Sequence, residues 1–158
     1  MTDAERIAAT LQQLTAIIPG DPVGWSVWTR QGPQPPSHQR MQAWQAQIQA
    51  YLRHLWGNRG MIAGGVVLDT TFYRRWPQSA PQKQRDAMER YAIEHITKRP
   101  DTDNYRKAFT DACQGILFED DAQVVWGGTG KLYTSQWAEG FTEITVYPWE
   151  PRGGIKWS

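Results

Sequence analysis

The sequence contains few cysteines and histidines, and this scarcity excludes two kinds of protein. A single cysteine, Cys113, cannot form an internal disulfide, and no cluster of cysteine and histidine has the spacing of a zinc site. We therefore expect Cys113 to be a small residue of the core. The three histidines, His38, His54 and His95, are scattered over two predicted helices, and we expect none of them to bind a metal.

Long apolar runs are also missing. The stretch at residues 61–68 is far shorter than the roughly 20 residues that cross a bilayer, and the first residues lack the basic-then-apolar order of a signal peptide. With 40% hydrophobic and 21% charged residues, neither disorder nor a fibrous repeat fits. A chain of 158 residues can bury a core without disulfides. We expect one soluble, intracellular domain over residues 1–158.

Neither sign of charge dominates the chain. The net charge of +1 gives no overall signal for nucleic-acid binding. Basic residues nevertheless outnumber acidic ones at 74–107, and acidic residues dominate at 111–150. Such sorting can hold a polyanion and a cation together, although a solvated surface of mixed charge has the same pattern. The nine tryptophans are many for this length, and we expect some in the core and some at an interface.

The apolar pattern predicts an α+β fold, because strands and helices are interspersed without a regular βαβ repeat. Strands are predicted at residues 14–18, 66–73, 124–126 and 141–147, and the last two are expected to form a hairpin-like unit. Helices are predicted at residues 37–57, 81–96 and 101–115, after a short N-terminal helix at 3–13. Ser37 is the expected N-cap of the longest helix, and Gly57 and Gly115 are expected to end two helices.

Each long element carries an apolar face at the spacing of its own period. The predicted inward residues are Met41, Trp44, Ile48, Tyr51, Leu52 and Leu55 in the first long helix, Val66, Leu68, Thr70 and Phe72 in a strand, Met88, Tyr91, Ala92 and Ile96 in the second helix, and Tyr105, Ala108, Phe109 and Ala112 in the third.

Carboxylates gather at the start of the third helix. Asp101 follows a proline that blocks extension of the helix, and Asp103, Lys107 and Asp111 are spaced four apart along one polar face. Acidic residues at a helix start are ordinary caps, stabilised by free N–H groups and the helix dipole. This group alone is therefore more typical of capping than of a site.

A second acidic group, Glu119, Asp120 and Asp121, comes directly before a β-rich run. Carboxylates that converge without a cation repel one another and raise each other's pKa. If the fold brings the two acidic groups together, we expect a hard divalent cation to bind between them and neutralise their repulsion. Oxygen ligands suit Mg²⁺ or Mn²⁺, which leave coordination positions for water and phosphate.

Two other motifs can be excluded. A calcium-binding EF-hand loop that began at Asp101 would need glycine in place of Arg106 and glutamate in place of Ala112. Residues 127–131 are similar to a phosphate-binding P-loop, but its first glycine falls on Val125 and its Ser/Thr on Leu132.

Residues 98–131 closely resemble the RusA family of Holliday-junction resolvases, which is common in phages and prophages. The resemblance rests on Arg99-Pro100-Asp101-x-Asp103-Asn104-x-x-Lys107-Ala108, then Asp111-Ala112 and Gly115, then Asp120-Asp121-Ala122-Gln123-Val124-Val125 and Lys131. A weaker likeness covers residues 18–22, the strand to Phe72 and the last strand. The chain departs from the family in its N-terminal part, where an extra segment precedes the first strand and Trp25 and Trp28 occupy a stretch that is basic in many relatives.

The resemblance implies a homodimeric, Mg²⁺-dependent endonuclease of α+β fold that cuts branched DNA, with Mn²⁺ as a substitute metal. It implies that Asp101, Asp103, Lys107 and Asp121 are catalytic, and that the three aspartates hold the metal against the scissile phosphate. It also implies a phage or prophage protein that acts in the cytoplasm of a bacterial host.

Other side chains receive roles in this interpretation. Lys107 is expected to point at the phosphate or the attacking water, although a surface ion pair with Asp111 would have the same spacing. Asp120 and Glu119 are expected to be supporting or turn residues. Candidates for contacts with the DNA backbone are Arg74, Arg75, Lys98, Arg99 and Lys131. Residues 41–55 and spare tryptophans are candidates for the dimer interface.

Three rival functions stay open. The nearest is a nuclease for flaps, displacement loops or replication forks instead of four-way junctions. The second is a non-catalytic DNA-binding dimer in which the acidic residues are merely caps and turns. The third, a hydrolase of small phosphate esters, lacks any signature of a nucleobase pocket.

Overall fold

The structure is a computed structural model that describes residues 2–4, 11–77, 79, 81–91, 99–134 and 139–150. Its centre is a mixed sheet of five strands. They are β1 (Leu14–Pro19), β2 (Val66–Arg74), β3 (Val124–Trp126), β4 (Thr129–Tyr133) and β5 (Phe141–Pro148). Strand β5 lies between β1 and β2 and is antiparallel to both.

The other edge of β2 pairs with two short strands in succession. Strand β3 runs parallel to the start of β2, where Val66 lies opposite Val124. Strand β4 runs parallel to its end, where Arg74 lies opposite Tyr133. Between β3 and β4, the carbonyl of Gly128 accepts a hydrogen bond from the N–H of Thr70 at 3.0 Å. The chain therefore stays bonded to β2 where β3 ends and β4 begins.

The helices of the described residues are α1 (Pro36–Trp56), α2 (Gln82–Tyr91) and α3 (Thr102–Cys113), with a short 3-10 turn at Asp121–Gln123. Helices α1 and α3 pack against each other and against one face of the sheet. Phe72 of β2 meets Trp44 of α1 at 6.2 Å and Phe109 of α3 at 5.9 Å between ring centroids. The predicted α+β fold is confirmed.

Most predicted inward residues lie in this core. All four residues of the β2 face and all four of the α3 face are buried, as are Met41, Trp44, Ile48 and Leu52 of α1. The prediction for Tyr51 is wrong, since its side chain is 38% exposed. Trp56 is the buried residue at the end of the helix. Because Trp44 and Trp56 lie in the protein's own core, they are not candidates for an interface. Cys113 is a core residue, and burial raises the pKa of its thiol far above the usual range.

Two predictions about local structure are wrong. Helix α1 begins at Pro36, whose fixed φ suits the first helical position, so Ser37 is not the N-cap and instead bonds Ser26 through its hydroxyl at 2.8 Å. The strands at 124–126 and 141–147 do not form a hairpin-like unit. They pair with opposite edges of β2 and run in opposite directions.

Some predictions fall outside the described residues. The N-terminal helix at 3–13 falls largely within the undescribed residues 5–10, and the helix at 81–96 is described only to Tyr91. The inward face predicted for the second helix, from Met88 onward, is likewise not described. Within the described ranges, no helix combines the length and apolar character needed to cross a membrane.

Candidate functional site at the edge of the sheet

A cleft of about 490 Å³ lies between α3 and the chain that leads into β3. Its walls are formed by Asp103, Arg106, Lys107, Thr110, Asp121, Val124, Val125, Trp126 and Gly127. Three residues singled out in the sequence, Asp103, Lys107 and Asp121, therefore line one cavity. Asp101 is not among the residues that line it.

The helical wall of the cleft follows from the period of α3. The buried stripe that starts at Tyr105 and ends at Ala112 faces the core, so Asp103 and Lys107, one turn apart, are left on the exposed side. Both side chains are exposed. An acidic and a basic group thus stand next to each other on the same wall.

The opposite wall is set by the 3-10 turn. The carboxylate of Asp120 accepts a hydrogen bond from the N–H of Ala122 at 2.9 Å and closes a capping box with Gln123. The amide of Gln123 accepts from the N–H of Asp120 at 3.0 Å and donates to the carbonyl of Ile62 at 2.8 Å, so the turn is anchored to the segment before β2. Asp120 is the expected turn residue, and this leaves Asp121 exposed at the cleft.

The two neighbouring carboxyls of the turn perturb each other. The pKa of Asp121 is raised, chiefly because its carboxyl shares a hydrogen bond with Asp120 and then because it is partly desolvated and feels the charge of that neighbour. The pKa of Asp120 is lowered, chiefly by the N–H of Ala122. The neighbouring carboxyl of Asp120 thus disfavours the charged form of Asp121.

Asp101 occupies the N-cap position of α3, but its side chain makes no capping hydrogen bond. The capping explanation therefore does not account for its carboxylate, which is exposed. Among the described residues, no group of three or more His, Cys, Asp or Glu side chains could hold a metal ion. The chain does not by itself build a three-carboxylate metal cage in this part of the protein.

The donor set of the cleft still fits magnesium. Mg²⁺ is typically bound by one or two carboxylates, and waters and substrate phosphates complete its coordination. Asp103 and Asp121 supply two such carboxylates from opposite walls of one open cleft.

Comparison with known proteins shows the family. A sequence model described as "Endodeoxyribonuclease RusA" matches residues 19–147. The chain belongs to the RusA family. The match includes every residue that lines the cleft, and it confirms the resemblance found in the sequence.

One relative is described as "Uncharacterized protein YqaN" from Bacillus subtilis (strain 168). It is 35% identical over 78 residues, which cover 48% of this chain and 54% of the relative. The chain therefore spans about half the length of this curated relative.

Lys107 has a different partner from the expected one. Its ammonium nitrogen lies 4.5 Å from the ring centroid of Trp25. Asp111, the expected partner, instead accepts a hydrogen bond from the amide of Gln45 at 3.1 Å. The spacing of four residues was therefore not sufficient to identify the pairing.

Arg106 is a structural residue of the RusA cleft that the sequence did not single out. Its guanidinium donates to the carbonyls of Leu68 at 2.8 Å and Gly128 at 3.1 Å, and to the hydroxyls of Thr70 at 3.2 Å and Thr129 at 2.9 Å. Burial lowers its pKa, although an arginine stays charged. Arg106 lies on α3 between the buried Tyr105 and the exposed Lys107. This position at the border of the buried face is the one sequence signal that its side chain could reach the sheet.

Two of the predicted DNA contacts brace the RusA motif from within the protein. Lys131 donates to the carbonyl of Pro100 at 3.0 Å, and Arg74 donates to the carbonyl of Arg99 at 3.4 Å. Both side chains are half-buried. They connect β4 and β2 to the segment that precedes Asp101. Of the other candidates, Arg75 and Arg99 are exposed, and Lys98 lies outside the described residues.

The rim of the cleft carries an exposed aromatic ring. Trp126 ends β3 and is 71% exposed, next to Val125 at 52%. Gly127 follows with φ +133°, and a Cβ atom there would meet the carbonyl oxygen of Leu68 at 1.9 Å. Glycine is thus required where the chain passes closest to β2.

Proposed function

We propose that the protein is a structure-selective endodeoxyribonuclease that resolves Holliday junctions by paired, symmetric nicks in DNA recombination and repair. The observation that carries this proposal is the placement of Asp103, Lys107 and Asp121 around one cleft in a member of the RusA family. A cytoplasmic site of action in a bacterial host, and a phage or prophage origin, stay predictions from the resemblance.

The proposed cofactor is Mg²⁺, with Mn²⁺ as a substitute. Asp103 and Asp121 would hold it from the two walls of the cleft. The resemblance adds Asp101, at the start of the same helix as Asp103, as a third proposed ligand, although Asp101 does not line the cleft. When bound, the ion would neutralise negative charge on the scissile phosphate and lower the pKa of a bound water. The raised pKa of Asp121 supports this assignment, since a cation relieves the repulsion between the neighbouring carboxyls.

Lys107 is the proposed catalytic cation. Its ammonium lies at the wall that carries Asp103, where it would neutralise charge that develops on the phosphate oxygens or orient the attacking water. Its partner supports this role: within the described residues, the ammonium contacts the aromatic ring of Trp25 and not a carboxylate.

Several features of the rim suit DNA. The exposed cations Arg75 and Arg99, together with Lys98, are proposed to contact backbone phosphates without reading sequence. Arg74 and Lys131 donate hydrogen bonds to the segment before Asp101. Their proposed role is to position that segment, and any contact that they make with phosphate is secondary. The exposed indole of Trp126 offers a face on which an unpaired base can stack.

A homodimer is the proposed assembly. Two-fold symmetry would place two clefts across a symmetric four-way junction, which explains paired nicks. Sedimentation velocity with and without a junction tests this directly. If the protein is a monomer and produces unpaired nicks, the proposed dimer is contradicted, but the proposed nuclease activity is not.

The test of function compares DNA structures under one salt condition. Labelled four-way junctions, flaps, displacement loops, forks and linear duplex are incubated with the protein in Mg²⁺ and in EDTA. We expect symmetric paired nicks in the junction in Mg²⁺ alone. A clear preference for flaps or forks would favour the nearest rival, and binding without nicking in either Mg²⁺ or Mn²⁺ would favour the non-catalytic dimer.

A further inference from the structure

Trp25 lies in the loop between β1 and α1, and its indole ring contacts the ammonium group of Lys107. The nitrogen lies 4.5 Å from the ring centroid. An ammonium within about 6 Å of a tryptophan face is attracted by the negative charge of the π system. The ring is therefore a partner that fixes where this charge lies.

The backbone at Trp25 is fixed relative to α3. The backbone N–H of Trp25 donates to the backbone carbonyl of Asn104, in the first turn of the helix, at 3.1 Å. The preceding residue, Gly24, lies so close to Pro100 that a Cβ atom would meet the proline ring at 2.8 Å. The ring is half-buried and packs against the hydrophobic core. With its backbone anchored to α3 and its ring packed against the core, Trp25 is a platform for the ammonium and not a freely rotating surface side chain.

Lys107 needs such a platform. A lysine carries its charge on a flexible four-carbon stem, and its freedom is largely unrestricted when the side chain is exposed, as it is here. Because the ring contacts the ammonium and the same residue lines the cleft, the contact holds the charge at the cleft wall.

We propose that Trp25 is a positioning residue that holds the Lys107 ammonium ready to meet the DNA phosphate. The inference rests on the proposed nuclease function and deepens it. Trp25 acts through Lys107, so its effect on the rate should vanish when the ammonium is removed.

The first test is the single-turnover cleavage rate of a labelled four-way junction in Mg²⁺. Trp25→Leu removes the π face and should slow cleavage roughly 3- to 30-fold, the range of a partly desolvated cation–π contact. Trp25→Phe keeps an aromatic face and should recover most of the rate. The matched control is Trp28→Leu in the same loop, where the ring contacts His38 at 5.9 Å and does not contact Lys107. It should cleave at the wild-type rate.

A double-mutant cycle separates positioning from general damage to the fold. In a Lys107→Ala background, Trp25→Leu should cause no further loss of rate, because the two changes remove one interaction. If the two losses multiply, or if Trp28→Leu slows cleavage as much as Trp25→Leu, the proposal is overturned in favour of a structural role.

A third measurement needs neither activity nor Trp25→Leu. Reductive methylation with ¹³C-formaldehyde labels lysine ammonium groups and keeps their charge, and Lys107→Arg identifies the resonance of interest. The ring current of Trp25 should shift this resonance upfield in the wild-type protein and in Trp28→Leu. An unshifted resonance in the wild-type protein overturns the proposal.

The outcomes also separate this inference from the proposed function. Wild-type cleavage with an unchanged rate in Trp25→Leu overturns the role of Trp25 alone. If the wild-type protein cleaves no branched DNA in either metal, the nuclease proposal fails, and the role of Trp25 in it fails too.

Discussion

Arg106 of α3 donates a hydrogen bond of 2.8 Å to the backbone carbonyl of Leu68, near the start of β2. The same guanidinium reaches Gly128 and Thr129, beyond the end of β3, so one side chain connects the helix, the central strand and the strand pair at its edge. Asp103, a proposed metal ligand, lies one turn from Lys107 on the same helix, and Asp121 lies on the 3-10 turn that leads into β3. Arg106 therefore stabilises the geometry of the cleft without having to take part in the chemistry.

Replacement of Arg106 by leucine should destabilise the protein. The change leaves several half-buried carbonyl and hydroxyl groups without their donor, and we expect a loss of about 2–4 kcal/mol in the free energy of unfolding, measured in urea. Lys107→Ala, at the next position on the exposed face, is the control and should change stability by less than about 0.5 kcal/mol. Equal stability of the two variants would show that the Arg106 hydrogen bonds are not important to the fold.

Gly127 should tolerate no side chain. An alanine there would place its Cβ against the Leu68 carbonyl and adopt φ +133°, so we expect a loss of about 3 kcal/mol or more and a displaced β3. Gly128→Ala is the matched control, because the nearest atom to its Cβ would be 3.7 Å away and no unusual φ is required. Thermal unfolding of both variants checks this, and a stable Gly127→Ala protein contradicts the close approach of the chain to β2.

The carboxyl pair at the 3-10 turn predicts a coupled titration. The pKa of Asp121 lies above its ordinary value, so this carboxyl stays protonated to a higher pH than an isolated aspartate. Asp120→Asn removes the second negative charge and keeps an oxygen that can accept from Ala122, so the pKa of Asp121 should fall. Carboxyl ¹³C NMR of the metal-free protein measures this. An Asp121 titration that does not change in Asp120→Asn contradicts the coupling.

Sequence patterns predicted the parts of this protein that depend on local periodicity. The buried face of α3 and the alternating face of β2 followed from spacings of 3.6 and 2.0 residues, and the acidic motifs stood out by composition. The pairing of β3 and β5 with opposite edges of β2 could not be predicted, because strand partners are chosen by tertiary packing. For the same reason the partners of Lys107 and Arg106 were missed, since Trp25 and Leu68 are remote in sequence.

The buried thiol provides a probe of folding. Because Cys113 is fully buried and its pKa is strongly raised, a thiol reagent should modify the native protein very slowly at neutral pH and rapidly in denaturant. The rate of labelling should rise in parallel with the loss of helical circular dichroism. Labelling of the native protein as fast as a free thiol would mean that the core around α3 is open.

The most direct test of the central claim is single-turnover cleavage of a labelled four-way junction in Mg²⁺ by four proteins side by side. The wild-type protein and Asp120→Asn should produce paired nicks, since Asp120 serves the turn. Asp103→Asn and Asp121→Asn should produce none while they bind the junction at least as well in a mobility-shift assay, because they remove negative charge near phosphate. Nicking by Asp103→Asn or Asp121→Asn at the wild-type rate would contradict the account.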